Sequence, residues 1–278
     1  MLVLWASEAC AAVSGATPAI EDILSVAAVF ELVHMASLVH DDIIDGAGTR
    51  RGVPTAHVIW GLHSAVLAGD YLFTRANRVA LKYSDHGIAS LVNQAIELTC
   101  EGEVAQDGRL FDCSVNVNDY LSHVSKKTAA LFGAACQAGA SMGEASGEIE
   151  ESMLRFGVEV GCAFQIVDDV MDLEADPRQS GKPSCSDLRS GVLTLPLILA
   201  METPARSLIE SCFRSRDFSE AAVRRIQRAC ESEGCLAKAR SEARTLATSA
   251  LSRLSSLPLS PGKTALEKIA AGVADRLA

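Results

Sequence analysis

Six aspartates in two short clusters carry the most chemistry in this sequence: Asp41-Asp42-Ile43-Ile44-Asp45 and Asp168-Asp169-Val170-Met171-Asp172. Carboxylates at i and i+4 share one face of a helix. An all-oxygen set of that kind suits a hard cation that keeps several waters and shares a phosphate, magnesium rather than zinc. One such cluster alone reads first as a solvated acidic helix end. Two copies, each following an apolar helix and attended by cations, reverse that weighting. The cations are Arg50-Arg51-Gly52 just after Asp45, Lys126-Lys127-Thr128 at the head of an apolar segment, and Gly181-Lys182-Pro183 just beyond the second cluster. Each pair alone is the ordinary partner of a surface salt bridge. Together with the carboxylates they describe a diphosphate clamp, magnesium taking one set of oxygens and guanidinium or ammonium groups the rest.

Two helices must position these clusters. Ile23 to His40 is apolar nearly all round and should be buried, yet Glu31, His34, Ser37, Asp41 and Asp45 interrupt it. At about 100° per residue, positions 34, 37, 41 and 45 form one stripe. An unpaired carboxylate in a dry interior costs on the order of several kcal/mol, so the stripe must face something wet or charged. Three carboxylates at a helix C-terminus also oppose the helix dipole and repel one another, which calls for a neutralising ion. In the second helix Gln165, Asp168, Asp169 and Asp172 lie on one face of the apolar run from Phe164. Apolar periodicity predicts further helices, giving segments near 2–13, 19–45, 56–83, 87–107, 117–143, 147–174, 191–201, 218–256 with a break, and 263–277. Pro54 and the pair Pro177 and Pro183 fall in loops, Pro196 suits a helix's first turn, and nothing asks for a sheet.

Composition agrees with an all-α chain: 49% of residues are apolar and only 5% aromatic. No linker, repeat or composition shift divides the 278 residues, so 1–278 reads as one domain. With 35 acidic against 25 basic side chains, the net charge of −10 argues against nucleic acid as a standing partner. Nine cysteines without a C-x-x-C pair fit neither a disulfide framework nor a zinc site and point to a reducing cytosol. No run reaches the roughly 18 uninterrupted apolar residues of a membrane span, and Met1 to Val13 lacks the basic start of a signal peptide. No transmembrane segment and a cytoplasmic location are therefore expected. His57, His63, His86 and His123 read as structural or surface residues, Tyr71 and Phe73 as core, and the Arg-rich helices beyond residue 200 as packing helices without chemistry.

These residues resemble the trans-prenyl diphosphate synthase family, the head-to-tail polyprenyl synthetases. The resemblance is carried by Leu38-Val39-His40-Asp41-Asp42-Ile43-Ile44-Asp45 with Thr49-Arg50-Arg51-Gly52, Gly69-Asp70-Tyr71-Leu72-Phe73, Gly102-Glu103-x-x-Gln106, Lys127-Thr128-Ala129, Phe164-Gln165-x-x-Asp168-Asp169-x-x-Asp172, and Gly181-Lys182-Pro183 with Ser186-Asp187-Leu188-Arg189-x-Gly191, all in family order. It implies an isoprenoid synthase-type helical bundle around a deep central cavity. It also implies a magnesium-dependent transferase that ionises an allylic diphosphate and adds isopentenyl diphosphate, all-trans. By resemblance Asp41 and Asp45 hold two magnesium ions and Asp168 a third, supported by Asp42, Asp169 and Asp172. Arg50, Lys127 and Thr128 grip the allylic diphosphate with Gln165 and Lys182, while His34 and Arg51 bind isopentenyl diphosphate. Phe30, Val33, Ala36 and Ser37 set chain length. Small residues nearest the site, and Phe30 as a floor, imply a product of roughly thirty to forty carbons at about one isoprene unit per helical turn. The resemblance further implies a homodimer, or a catalytic subunit with a smaller partner.

Family members carry a preceding helix and a Gly-Gly-Lys-Arg-x-Arg-Pro motif whose cations bind isopentenyl diphosphate. Here Met1-Leu2-Val3-Leu4 corresponds to the residues just after that motif. The expectation is a domain truncated at its N-terminus, either because the start codon is called late or because half of one clamp is lost. Two other readings stay open: an inactive or accessory subunit of a heterodimeric synthase, and a class I terpene cyclase, against which the intact second cluster speaks.

Overall fold

A computed structural model describes residues 1–175 and 185–275. Among these residues the regular structure is helical apart from one two-stranded hairpin. Helix α1 (Leu2–Ser14) ends at Gly15, whose left-handed backbone returns an N–H to Ala11 O. Helix α2 (Ile20–Ile44) carries the first aspartate cluster in its last turn. The hairpin follows, pairing β1 (Thr49–Arg50) with β2 (Val53–Pro54). After it come α3 (Ala56–Trp60), α4 (Leu62–Ala80), α5 (Ile88–Asp107), α6 (Val117–Val124), α7 (Ala130–Met142) and α8 (Gly147–Glu174). Short helices α9 (Ser186–Ser190) and α10 (Leu195–Ala200) precede α11 (Arg206–Ser215), α12 (Glu220–Ser232), α13 (Cys235–Arg253) and α14 (Pro261–Asp275).

The expected helices are present, with three differences. The segment predicted over 56–83 is broken at Gly61, whose φ of 82° ends α3 and starts α4. The hairpin and the helices α9 and α11 were not expected. Tyr71, expected in the core, is 63% exposed, because it shares an outward face of α4 with Leu67 one turn before it. Pro196 does stand in the first turn of α10.

The chain forms two compact units. The first comprises residues 1–97, 131–154 and 256–266. Its core gathers Val26, Val29, Phe30 and Val33 of α2 with Ala76 and Ala80 of α4, Ile88 and Val92 of α5, and Ala134, Ala135 and Ala138 of α7. Small residues let these helices approach closely, and each fully buried Val or Phe contributes about 1.5–3 kcal/mol over leaving it in water. Helix α2 has a mean hydropathy of 1.7 and is, by length and composition, apolar enough to cross a membrane. Its apolar run is not uninterrupted, because Glu31 and His34 break it. A third of that apolar stretch is buried, and Leu24 and Met35 are each 49% exposed, so one face of α2 packs into the core and the expected burial nearly all round does not hold. The second unit comprises 98–130, 155–255 and the residues from 267 on. Its buried side chains include Tyr120, Phe156, Ile166, Val170, Ile209 and Ile226.

Candidate diphosphate and metal site

In the first unit the aspartates sit where the helix dipole disfavours them, and α2 has no basic residue in its last turn. The compensation comes from the hairpin. Arg50 reaches back from β1 and donates Nε–H to Asp42 Oδ1 at 2.8 Å, which neutralises the one aspartate of this cluster that is buried. Arg51 and Gly52 form the two-residue turn, with φ of 51° and 78°. Positive φ at both central positions is what a tight hairpin of matching twist requires. The loop is fastened at its far side, where buried Thr55 donates to Ala47 O at 2.7 Å. Asp41 is half-buried and Asp45 exposed at the helix C-cap. His34 is exposed about two turns upstream of Asp41, and its carbonyl accepts from the Ser37 hydroxyl at 2.9 Å. Phe30, Val33 and Ala36 are buried.

His40, which sequence reasoning left without a role, locks α2 to α4. Its Nε2 lies 3.2 Å from Val66 O and 3.7 Å from Asp70 Oδ1, and its ring stands against Phe73. A Cβ on Gly69 would overlap that ring. The Gly69-Asp70 motif therefore serves packing next to the cluster.

In the second unit the backbone widens into a π-helical turn over Ser125–Ala129, between α6 and α7. Single π-turns are common at functional sites because they push side chains out of helical register. Lys126, Lys127 and Thr128 stand on this turn. It packs on α5 at Gly102, where a Cβ would lie 2.5 Å from Lys127 N and 2.8 Å from its Cα. One residue on, Glu103 Oε2 pairs with Lys127 Nζ at 2.6 Å, and Glu101 pairs with Lys126 at 2.8 Å. Thr128 donates its hydroxyl to Gln165 Oε1 at 2.9 Å, and Gln165 Nε2 donates to Asp169 Oδ1 at 2.8 Å. Tyr120 donates to Asp169 Oδ2 at 2.6 Å.

Asp169 is therefore held at both oxygens and is 4% exposed. Burial pushes its carboxyl up to about 6, against the opposing pull of the Tyr120 and Gln165 hydrogen bonds. Burial also lifts the Tyr120 phenol well above its usual value, with Asp169 adding to the shift, and burial lowers His123. Asp172 accepts from Ser186 N at 3.1 Å, Ser186 Oγ at 2.9 Å and Asp187 N at 3.2 Å, and so starts α9. Asp168 is half-buried. A cavity of about 80 Å³ opens among Gln106, Tyr120, Lys127, Thr128, Gln165 and Asp169. Lys182 lies outside the described residues.

The structure thus brings Lys127, Thr128, Gln165 and Asp169 to one cavity and joins Asp42 to Arg50. Among the described residues no three His, Cys, Asp or Glu side chains converge as a ready-made metal cage. The donor chemistry still fits magnesium, because every candidate donor is oxygen and a partial protein shell is what an ion completed by water and phosphate needs. Tyr120, Glu103 and His40 are the residues that sequence reasoning missed. Glu103 stands in the Gly102-Glu103-x-x-Gln106 motif, and Tyr120 stands seven residues before Lys127, whereas only the fold reveals its contact with Asp169.

The sequence matches the family described as Polyprenyl synthetase over residues 1–230. The chloroplastic solanesyl-diphosphate synthase 2 of Oryza sativa subsp. japonica is 35% identical over 270 residues, which cover 96% of this chain and 66% of that protein. The chain thus spans just under two thirds of that relative's length. A decaprenyl diphosphate synthase from Rhodobacter capsulatus superposes with a TM-score of 0.91 at 30% identity, over 100% of this chain and 84% of that one. A polyprenyl synthase from Caulobacter crescentus CB15, complexed with calcium and isoprenyl diphosphate, gives 0.90 at 31% identity over the same shares. The chain has the isoprenoid synthase helical fold.

Proposed function

The chain belongs to the polyprenyl synthetase family, and from that premise we propose that it condenses isopentenyl diphosphate with an allylic prenyl diphosphate, head-to-tail and all-trans. The observation that carries the reading is the convergence of Lys127, Thr128 and Gln165 on one cavity beside the Asp168 cluster. Lys127 and Thr128 on their π-turn, with Gln165, bind the allylic diphosphate, and Arg50 offers its terminal nitrogens while Asp42 fixes the guanidinium through Nε. Arg51 at the hairpin turn and His34 bind the diphosphate of isopentenyl diphosphate. Asp41, Asp45 and Asp168 are the residues that would hold magnesium, three ions in all. Bound magnesium neutralises the charge that builds on the departing diphosphate. The cations of this chain share that task, and their fixed placement means that little reorganisation is needed as the C–O bond ionises. Apolar walls exclude water from the resulting cation. The released diphosphate takes the final proton.

A medium to long product is supported by the solanesyl and decaprenyl products in the names of the two relatives above and by small Ala36 and Ser37 above buried Val33 and Phe30. Self-association is supported by the exposed apolar side chains of α3 and α4, among them Trp60 at 65% and Leu62 at 59% exposed. The test incubates purified protein with magnesium, labelled isopentenyl diphosphate and farnesyl diphosphate, then sizes the product. Extension to roughly thirty carbons or more is expected from a floor several turns below the site. No extension would refute the function, and farnesyl diphosphate as the sole product from shorter primers would refute the length.

A further inference from the structure

Four side chains around the 80 Å³ cavity form one hydrogen-bonded chain with a fixed direction. A carboxylate only accepts and a phenol proton can only be donated to it. Because Asp169 is held from one side by Tyr120 and from the other by Gln165, the Gln165 amide must turn its NH2 toward Asp169 and its carbonyl toward Thr128. A glutamine amide without such neighbours can flip, exchanging a donor for an acceptor. In the fixed orientation the second amide N–H is the donor that remains to meet a phosphate oxygen, and the Thr128 hydroxyl is oriented by Gln165 Oε1. The member of the chain farthest from this donor is Tyr120, buried to 1% exposure in α6 with its ring edge-on to His123.

We propose that Tyr120 is a positioning residue of the allylic-diphosphate subsite, acting through Asp169 to fix the donors of Gln165 and Thr128. The inference rests on the assignment of Lys127, Thr128 and Gln165 to that subsite. Every member of the chain that Tyr120 orients, Asp169, Gln165 and Thr128, lines the cavity of the allylic subsite or is hydrogen-bonded within it, so the effect expected of Tyr120 is on that one substrate.

The test is Tyr120→Phe, which keeps the ring and removes the hydroxyl, assayed with magnesium at pH 8. Loss of one hydrogen bond to a charged group should raise KM for the allylic diphosphate roughly tenfold, with KM for isopentenyl diphosphate changed less than about twofold. In a Gln165→Ala background, where no amide is left to orient, adding Tyr120→Phe should change the allylic KM by less than about twofold. An unchanged allylic KM, equal rises for both substrates, or the same tenfold penalty in the Gln165→Ala background would overturn the inference. A Tyr120→Phe chain that loses its helical circular dichroism would do so as well, since the hydroxyl would then be structural. If wild-type protein turns nothing over, the functional reading is what fails. Calorimetry with magnesium and inorganic pyrophosphate then decides the inference, which requires Tyr120→Phe to bind roughly tenfold more weakly than wild type and is overturned by equal affinity.

Discussion

Gly102→Ala should damage the proposed activity out of proportion to its size. The added Cβ would lie 2.5, 2.8 and 2.9 Å from N, Cα and Cβ of Lys127. The closest of these is about 0.9 Å short of the 3.4 Å at which ordinary contact begins. Two of the three atoms are backbone, so no rotamer change relieves the overlap and the π-turn itself must move away from α5. Overpacking of this kind typically costs about 1–3 kcal/mol of stability. A displacement approaching 1 Å carries Lys127 and Thr128 with it, and misplacement on that scale can lower a rate by about a hundredfold. The assay is kcat/KM for the allylic diphosphate, alongside a thermal melt. A loss of roughly fiftyfold to several hundredfold is expected, with the melting temperature lowered but the protein folded at 25 °C. Wild-type kcat/KM together with a wild-type melt would refute the argument that close approach at Gly102 sets the lysine.

Three further outcomes follow from the geometry. Asp42→Ala removes the partner of Arg50 and leaves a guanidinium whose side chain is 39% exposed, so water offsets part of the loss; unfolding free energy should fall by about 1–2 kcal/mol in a denaturant titration, and no change would contradict the pairing. Burial raises the thiols of Cys10 and Cys230 to about 12, above the unfolded value, so they stay neutral at pH 8 and their contribution to stability is lost as pH rises past 9; only exposed Cys100 and half-buried Cys113 should react quickly with a disulfide reagent, and a fast reaction at more sites would contradict the core. Trp60→Glu should shift the assembly toward single chains in sedimentation equilibrium, whereas an unchanged mass would remove the exposed α3–α4 face from the argument for self-association.

The helices that end in aspartate clusters were legible because their signal is local: an apolar run in α2 or α8 followed by carboxylates at i and i+4. The hairpin was not, because strands of two residues have no periodicity, and its only trace was Arg51-Gly52 in the left-handed region. Helix α9 was hidden for a different reason, as its start depends on Asp172 accepting backbone N–H groups from residues 14 and 15 positions away. The division of labour within each cluster was likewise invisible. Asp42 and Asp169 look like their neighbours in sequence, yet Arg50 claims one and Tyr120 with Gln165 the other. Tyr71 reads as apolar, but its face of α4 points outward. Family resemblance named Lys127, Thr128 and Gln165; only the fold shows that a π-turn and a glycine contact hold them in place.

The proposed function requires these carboxylates and cations to handle diphosphate with magnesium. Its most direct test is the initial rate at which labelled isopentenyl diphosphate enters extractable prenyl product, for wild type with magnesium, wild type with EDTA, and Asp168→Asn with magnesium. Steady incorporation is expected in the first case and a loss of at least about a hundredfold in the other two, on the scale of a disabled metal-assisted ionisation. No incorporation by wild type, or incorporation that persists without magnesium, would contradict it.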